Sequence, residues 1–389
     1  MMDKNLVLNK IQANEQEAFT FLEQLVNIDS GNDHKEGISE VAHLIGAFLT
    51  QLAFTVEYLN TPGEPVQLLA RRPGTGGQRV LFNGHMDTVF PRGTAAARPF
   101  KIIAGKVYGP GVADMKGGLV TALFTVKSLL EAGWEATEFT FMLCGDEEIS
   151  HPRTNAVANF KRAAQGQDVC FCLEPGRANG AVVIGRKGAL RPKLKVQGKA
   201  AHSGLAPEKG INANLEMAHK IIALQALNNF AVGTTYNVGV MQGGTLANII
   251  ADYAECEVDI RAKTIAEAEK AQADVELVAA KTYVPGTTTI VEANQISFMP
   301  FETTKAVEAL YAVMCEQAAA LGQEELLAEY SGGCSDVSWT ALGGATSICA
   351  VGPKGVNAHT EQEFFWQASL LERIQLLAFT IMALTEKQS

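Results

Sequence analysis

Apolar side chains recur at helical spacing at Ala18, Phe21, Leu22, Leu25 and Ile28, and again at Val41, Ala42, Ile45, Phe48, Leu49 and Leu52. This periodicity predicts two amphipathic helices early in the chain. Short apolar runs follow. Arg79-Val80-Leu81-Phe82, Phe139 to Cys144 and Val169 to Leu173 read as buried strands. Leu119, Ala122, Leu123, Val126, Leu129 and Leu130 define a helix between the first two of them. Strands alternating with helices predict a mostly parallel sheet covered on both faces.

From about Ala189 the pattern changes. Leu190, Leu194 and Val196 suggest a half-exposed strand, and a helix is expected from roughly Ile211 to Asn229. Thr235 to Met241 and Tyr253 to Arg261 read as strands, the second with clean alternation at Ala254, Cys256, Val258 and Ile260. Ala266 to Lys281 is helical and Thr287 to Ala293 is a last strand. The order is βαββαβ, a ferredoxin-like pattern able to bury its own core. It ends near Phe298-Met299-Pro300. The tail then returns to the first texture, with a helix over Ala306 to Leu321, a strand over Ser347 to Val351 and a long helix over Phe364 to Leu384. The expected architecture is an α/β domain, 1–188 with 299–389, interrupted by a smaller domain, 189–298. No internal repeat or low-complexity segment stands out.

Composition narrows the function. A chain of 389 residues exceeds the roughly 250–300 at which one core stops growing, in keeping with two domains. Apolar residues at 47% and charged residues at 19% exclude a disordered chain. The net charge of −10 disfavours nucleic acid as a partner. No run approaches membrane-spanning length, so no transmembrane helix is expected. Met1 to Gln16 carries Asp3, Lys4, Lys10 and Glu15 and has no signal-peptide pattern. Seven cysteines without a CxxC pair fit a reducing compartment, and the cytoplasm is the expected location.

The candidate chemistry sits at strand ends. His85-Met86-Asp87 follows the strand ending at Phe82. A metal-binding imidazole usually donates its other N–H to a carboxylate, the role Asp87 would play; a loop histidine beside a capping acid is the plainer alternative. Asp114 lies in Tyr108-Gly-Pro-Gly-Val-Ala-Asp-Met-Lys-Gly-Gly, just before the helix of Leu119. A glycine-rich turn with an N-cap acid is one reading. A phosphate loop is another, although Gly109-x-Gly111 lacks the rest of either phosphate fingerprint. Glu147 and Glu148 follow the strand Phe139 to Cys144, where adjacent acids are costly without a cation, unless the turn is simply solvated. Glu174 ends Val169 to Leu173, and His359 follows Ser347 to Val351. Together the four parallel strands end in His85, Glu147/Glu148, Glu174 and His359, with Asp114 opening a helix between two of them. Ligands of open α/β sheets gather at the carboxyl ends of strands. A histidine and carboxylate set of this kind suits two zinc ions sharing one carboxylate.

The segments GHMDTV, GPGVADMKGG, GDEE, LEPGR, AHSG, NII, DIR and GxxAHTxxE jointly resemble the two-zinc amidohydrolases that include glutamate carboxypeptidase, acetylornithine deacetylase, succinyl-diaminopimelate desuccinylase and aminoacylase. The resemblance covers essentially the whole chain and is strongest to the glutamate carboxypeptidase branch. It implies that His85 ligates one zinc with Asp87 behind it. Asp114 would bridge two zinc ions, Glu148 and His359 would ligate the second, and Glu174 would complete the first. Cobalt or manganese can occupy such sites. It makes Glu147 the general base and His202 the oxyanion-stabilising histidine of a lid and dimerisation domain, reaching across from a partner subunit. Asn248 and Arg261 would hold the substrate carboxylate, and Asp114–Met115 would be a cis peptide. A surface partner for a nearby acid is the alternative for Arg261. Ser331-Gly-Gly-Cys-Ser-Asp336 is a small polar loop whose backbone N–H groups suit a carboxylate, and Lys187 fits a hinge role as well as substrate contact.

The expected function is therefore hydrolysis of a small peptide or N-acyl amino acid by a homodimer, with release of a C-terminal amino acid such as glutamate. Deacylase and dipeptidase readings stay open. Two other classes compete: a cysteine hydrolase using Cys144 or Cys334, and a metal or peptide binder without turnover. Neither nucleic acid nor membrane is an expected partner.

Overall fold

The computed structural model describes residues 2–152 and 154–388. Internal contacts divide the chain into two compact units. The first comprises Met1–Ile184, Thr303–Tyr330 and Asp336–Ser389; the second comprises Gly185–Glu302 with Ser331–Ser335. The second unit therefore reaches beyond 189–298 at both ends. Backbone hydrogen bonds account for this: Arg186 pairs with Phe301 in both directions, and the Lys187 N–H donates to the Ser331 carbonyl at 3.0 Å. The Arg186 guanidinium also donates to the carbonyls of Gly333 and Cys334, at 3.3 and 3.0 Å, which draws Ser331–Ser335 into this unit.

The first unit is built on a six-stranded sheet in the order Thr55–Leu59, Gln67–Arg72, Thr137–Cys144, Gln78–His85, Val169–Cys172, Thr346–Ile348. The last four strands are mutually parallel and the first two run antiparallel. This is the mostly parallel α/β sheet the alternation predicts. The two antiparallel strands lack a clear apolar run and were not expected. Phe82, Phe139, Phe141 and Phe171 are buried in the central strands, and the rings of Phe82 and Phe141 stack with centroids 4.9 Å apart. Central strands of such a sheet are apolar on both faces because helices cover both. The register sets His85 beside Cys144 and Asn83 beside Cys172, so three carboxyl ends share one edge.

A small antiparallel sheet joins Gly355–Val356, Phe364–Trp366, Lys106–Tyr108 and Lys101–Ile103. Phe364–Trp366 is thus a strand, not the start of the last helix; that helix runs Ala368–Gln388. Its stretch Ala368–Glu386 is long and apolar enough to cross a membrane, although Glu372 and Arg373 interrupt its apolar run. Leu370, Ile374, Leu377, Phe379, Ile381 and Met382 from this helix are buried in the core.

The second unit carries a ferredoxin-like sheet. Its first strand is broken at Arg191-Pro192 into Gly188–Leu190 and Lys193–Gln197, and its last into Thr288–Glu292 and Ile296–Phe298. The central strand Tyr253–Ala262 pairs with both halves of the first strand on one side and with Thr235–Gly243 on the other. Ala254, Cys256, Val258 and Ile260 face the core as the alternation requires. Asn212 and Thr264 cap the helices Ala213–Gln225 and Ile265–Ala280 by accepting the N–H groups of Leu215 and Glu267.

Candidate metal centre

His85 is the last residue of its strand and is buried. The neighbouring strand delivers Glu147 and Glu148 on a short turn just past Cys144, and Glu174 follows Val169–Cys172. Asp114 does not open a helix as expected. It lies in a separate turn, Val112–Lys116, with φ −111° and ψ 94°, ahead of the helix Gly117–Glu131. The Asp114–Met115 peptide is cis. Two glycines make this turn possible. Gly111 has φ +69° and would place a Cβ 2.4 Å from Thr88 Cγ2, and at Gly118 a Cβ would lie 1.7 Å from the Leu173 carbonyl oxygen. His359 sits at the tip of the hairpin formed by Gly355–Val356 and Phe364–Trp366, with φ +66°.

These residues form two groups that share Asp114. Donor atoms of His85, Asp114 and Glu174 lie within 4.8 Å of one another, and so do those of Asp114, Glu148 and His359. Asp114 Oδ1 is 3.2 Å from His85 Nε2, and its Oδ2 is 3.3 Å from His359 Nε2. Glu148 Oε2 is 3.1 Å from the same His359 nitrogen. His85 Nδ1 donates to the Asp87 backbone carbonyl at 3.0 Å, with the Asp87 carboxylate at 3.5 Å. That leaves Nε2 to face the cluster. The Asp87 carboxylate itself accepts the N–H groups of Glu147 and Glu148, at 3.3 and 3.0 Å. Asp87 therefore sets the acidic turn as well as the imidazole.

Crowded charge shifts the titration of His85, Asp114, Glu147, Glu148 and His359. Burial alone would raise the Asp114 pKa, but hydrogen bonds from His359 and His85 hold it well below the usual range. His359 is pushed up to about 10 by its bonds to Asp114 and Glu148. Burial opposes the charged form of His85, yet Asp114 and Asp87 raise its pKa well above the ordinary value. Glu147 is held well above the carboxylate range, first by burial and then by Asp336, Glu174 and Glu148, with His85 opposing. Burial likewise raises Glu148, against the pull of His359.

The arrangement suits divalent cations. Glu148 Oε1 is buried without a hydrogen-bond partner, a costly state for a carboxylate oxygen that a cation relieves. Imidazole nitrogens with carboxylate oxygens are the donor set of zinc and its neighbours.

Two further residues had no role assigned from sequence. Glu363 is buried and accepts the N–H groups of Gly111, Ala113 and Asp114 at 2.8–2.9 Å. It thereby ties the Asp114 turn to the hairpin of His359. Lys116 is buried and donates to the carbonyls of Leu25 and Ile28 at 2.8 and 2.9 Å, and burial lowers its pKa to about 7. The available signal was a lysine inside an otherwise small, apolar pre-helical run.

His202, Asn248 and Arg261 belong to the second unit, not to this cluster. The Ser203 N–H donates to the Asn248 carbonyl, and His202 bridges to Ile249. His202 Nδ1 accepts the N–H groups of Gly204 and Leu205, at 3.1 and 3.2 Å, so the proton of a neutral ring resides on Nε2. Arg261 donates Nε–H to Asp259 at 2.9 Å and Nη1–H to the Cys334 sulfur at 3.1 Å. The Cys334 thiol also contacts the Lys187 carbonyl. Cys144 is a buried thiol whose pKa is raised, by burial first and then by Asp336, the reverse of what a cysteine nucleophile requires.

Comparison with known proteins matches residues 81–383 to the family model described as peptidase family M20/M25/M40. The chain is 30% identical to carboxypeptidase G2 of Pseudomonas sp. (strain RS-16) over 371 residues, covering 93% of this chain and 88% of that protein. It is 32% identical to the acetylornithine deacetylase of Erwinia tasmaniensis over 237 residues, 56% of this chain and 60% of that one. Among solved structures, aminopeptidase PepT from Bacillus cereus superposes with a TM-score of 0.77 at 23% identity, over 98% of both chains. The chain belongs to peptidase family M20/M25/M40 and is a hydrolase of that metallopeptidase and amidohydrolase family.

Proposed function

We propose that this enzyme hydrolyses an amide bond to release a C-terminal, glutamate-like amino acid from a small peptide or N-acyl amino acid. The observation that supports it is the pair of ligand groups sharing Asp114, with Glu147 on the turn that carries Glu148. His85, Asp114 and Glu174 would hold one zinc ion, and Asp114, Glu148 and His359 a second; cobalt or manganese suits the same donors. Bound there, the ions supply Lewis acidity to a water and to the scissile carbonyl.

The chain's own residues do the rest. Glu147 takes a proton from the attacking water onto its carboxylate and delivers it to the leaving nitrogen, and its raised proton affinity suits the second step. Asp87 holds both the imidazole of His85 and the backbone of Glu147 and Glu148 in place. His202 donates its Nε2–H to the developing oxyanion. Arg261 and Asn248 bind the free carboxylate of the substrate, with Asp259 fixing the guanidinium through Nε.

The second unit serves as lid and dimerisation domain in this reading. Its edge strand Thr235–Gly243 exposes Val240 and Met241, and its helix Ala213–Gln225 exposes Leu215 and Ile222, an apolar set that suits a homodimer. We place the protein in the cytoplasm, in keeping with the buried free thiols of Cys144, Cys170 and Cys256.

A panel of dipeptides, N-acyl amino acids and glutamate-terminated peptides, read for the released amine alongside metal content, tests the reading. The expected result is the highest kcat/KM on substrates ending in an acidic residue. Turnover confined to N-acetyl amino acids with basic side chains would instead establish a deacylase, the activity named for the Erwinia relative.

A further inference from the structure

A second buried cluster adjoins the metal-ligand turn, and the proposed chemistry does not use it. After Cys144 the chain passes through Asp146, Glu147 and Glu148 and returns at His151. Ser150 and His151 adopt φ of +64° and +53°, left-handed conformations that non-glycine residues hold only where their surroundings enforce them. The His151 ring lies between two carboxylates. Nδ1 is 2.9 Å from Asp146 Oδ1 and Nε2 is 2.6 Å from Asp336 Oδ1. All three side chains are buried. Asp146 Oδ2 accepts the Thr154 hydroxyl at 2.7 Å, and Asp336 Oδ2 accepts the Cys144 thiol at 3.3 Å. At the backbone, the His151 N–H donates to the Asp146 carbonyl and the Ser150 N–H to the Glu147 carbonyl.

An acid at each ring nitrogen favours a ring that donates from both, the imidazolium form. Cys144, Asp146 and His151 also lie close enough together to hold a cation, but a cation would have to displace one of these two hydrogen bonds. The clasp reaches from the turn to Asp336, which precedes the helix Val337–Leu342, so it anchors the turn to an element distant in sequence.

We propose that Asp146, His151 and Asp336 form a positioning clasp for the Glu147–Glu148 turn. His151 acts through those two glutamates and not on the substrate. The inference rests on Glu147 being the proton carrier and on Glu148 being a metal ligand. A reacting group displaced by about 1 Å loses on the order of a hundredfold in rate, and supports of this kind fix such placement.

The test compares His151→Phe, Asp336→Asn, the double variant and Glu147→Gln, measuring kcat, KM, thermal midpoint and zinc affinity by competition titration. In His151→Phe, kcat is expected to fall at least tenfold with KM within twofold, and zinc binding to weaken severalfold. Adding Asp336→Asn removes one of the two stranded carboxylates and is expected to recover part of both losses. Folded His151→Phe with kcat and zinc affinity within twofold of the parent overturns the proposal, as does a loss of one zinc ion per chain held by the clasp itself. If His151→Phe does not fold, Asp336→Asn decides: kcat reduced severalfold supports the clasp, and unchanged kcat overturns it. Glu147→Gln separates the two readings. If it retains turnover, the functional reading fails while zinc affinity still tests the clasp; if it is inactive and His151→Phe is not impaired, only the clasp fails.

Discussion

His359 is 54% exposed, yet its ring lies between Asp114 and Glu148, and those partners raise its pKa to about 10. Below that pH the metal-free ring carries a proton that a cation must displace, and His85, also raised, adds to the competition. As pH falls, more of the two histidines is protonated and metal binding weakens. Zinc affinity measured by competition at pH 6, 7 and 8 is therefore expected to rise at each step, by roughly tenfold per displaced proton. Affinity independent of pH over that range would contradict the ligand assignment. Much of this was readable from the sequence, because the donor residues stand at the ends of apolar strands where a parallel sheet gathers its ligands. The roles of Glu363, the last residue of the GxxAHTxxE segment, and of His151 are not readable there. Glu363 meets Gly111 across 252 residues and His151 meets Asp336 across 185, and only folding shows that their side chains are buried.

Among the elements of the second unit, the helix Ala213–Gln225 carries a buried ion pair. Glu216 and Lys220 lie 3.0 Å apart and are fully buried. Lys220 also donates to the carbonyls of Val278, Ala279 and Lys281 at the end of the second helix, while Glu216 accepts the N–H groups of Tyr283 and Val284. The pair thus joins both helices to the loop that follows. Lys220→Met would strand the Glu216 charge, and a loss of about 3–5 kcal/mol in urea unfolding is expected, with part recovered in Lys220→Met/Glu216→Gln. A loss below about 1 kcal/mol would contradict this account. Burial works against the Glu216 carboxylate, but the Val284 N–H, Lys220 and the Tyr283 N–H lower its pKa below 4.5. Its contribution is therefore present above that value and lost as pH falls through the lower folded pKa. Glu216→Gln should flatten the acid limb of stability against pH. At this scale, periodicity located Tyr253–Ala262 well. Phe364–Trp366 merges in pattern with the helix behind it, since three aromatic residues leading into an apolar helix show no break. Thr55–Leu59 leaves no such signal, because it is a partly exposed edge strand without a clear apolar face.

For the molecule as a whole, the sequence charge of −10 changes meaning. Asp87, Asp114, Glu147, Glu148 and Glu174 belong to one region of the first unit, and two divalent ions there would add +4, giving −6. The apolar face of the second unit carries the remaining prediction. Met241 is 45% exposed on an edge strand, and unpaired edges invite a partner. Val240→Lys/Met241→Lys is expected to convert the proposed dimer into a monomer in sedimentation velocity and to lower kcat, since His202 acts across the interface in this reading. A monomeric variant with full activity would refute action in trans. The pattern of alternating strands and helices made both architectures legible, but not that Ser331–Ser335 joins the second unit, which depends on Arg186 and its carbonyl partners. The most direct test of the central claim is the turnover of Glu147→Gln at saturating zinc, with bound metal quantified on the same sample. The account predicts kcat lower by about 10²–10⁴ with metal content unchanged; turnover close to that of the parent would contradict it.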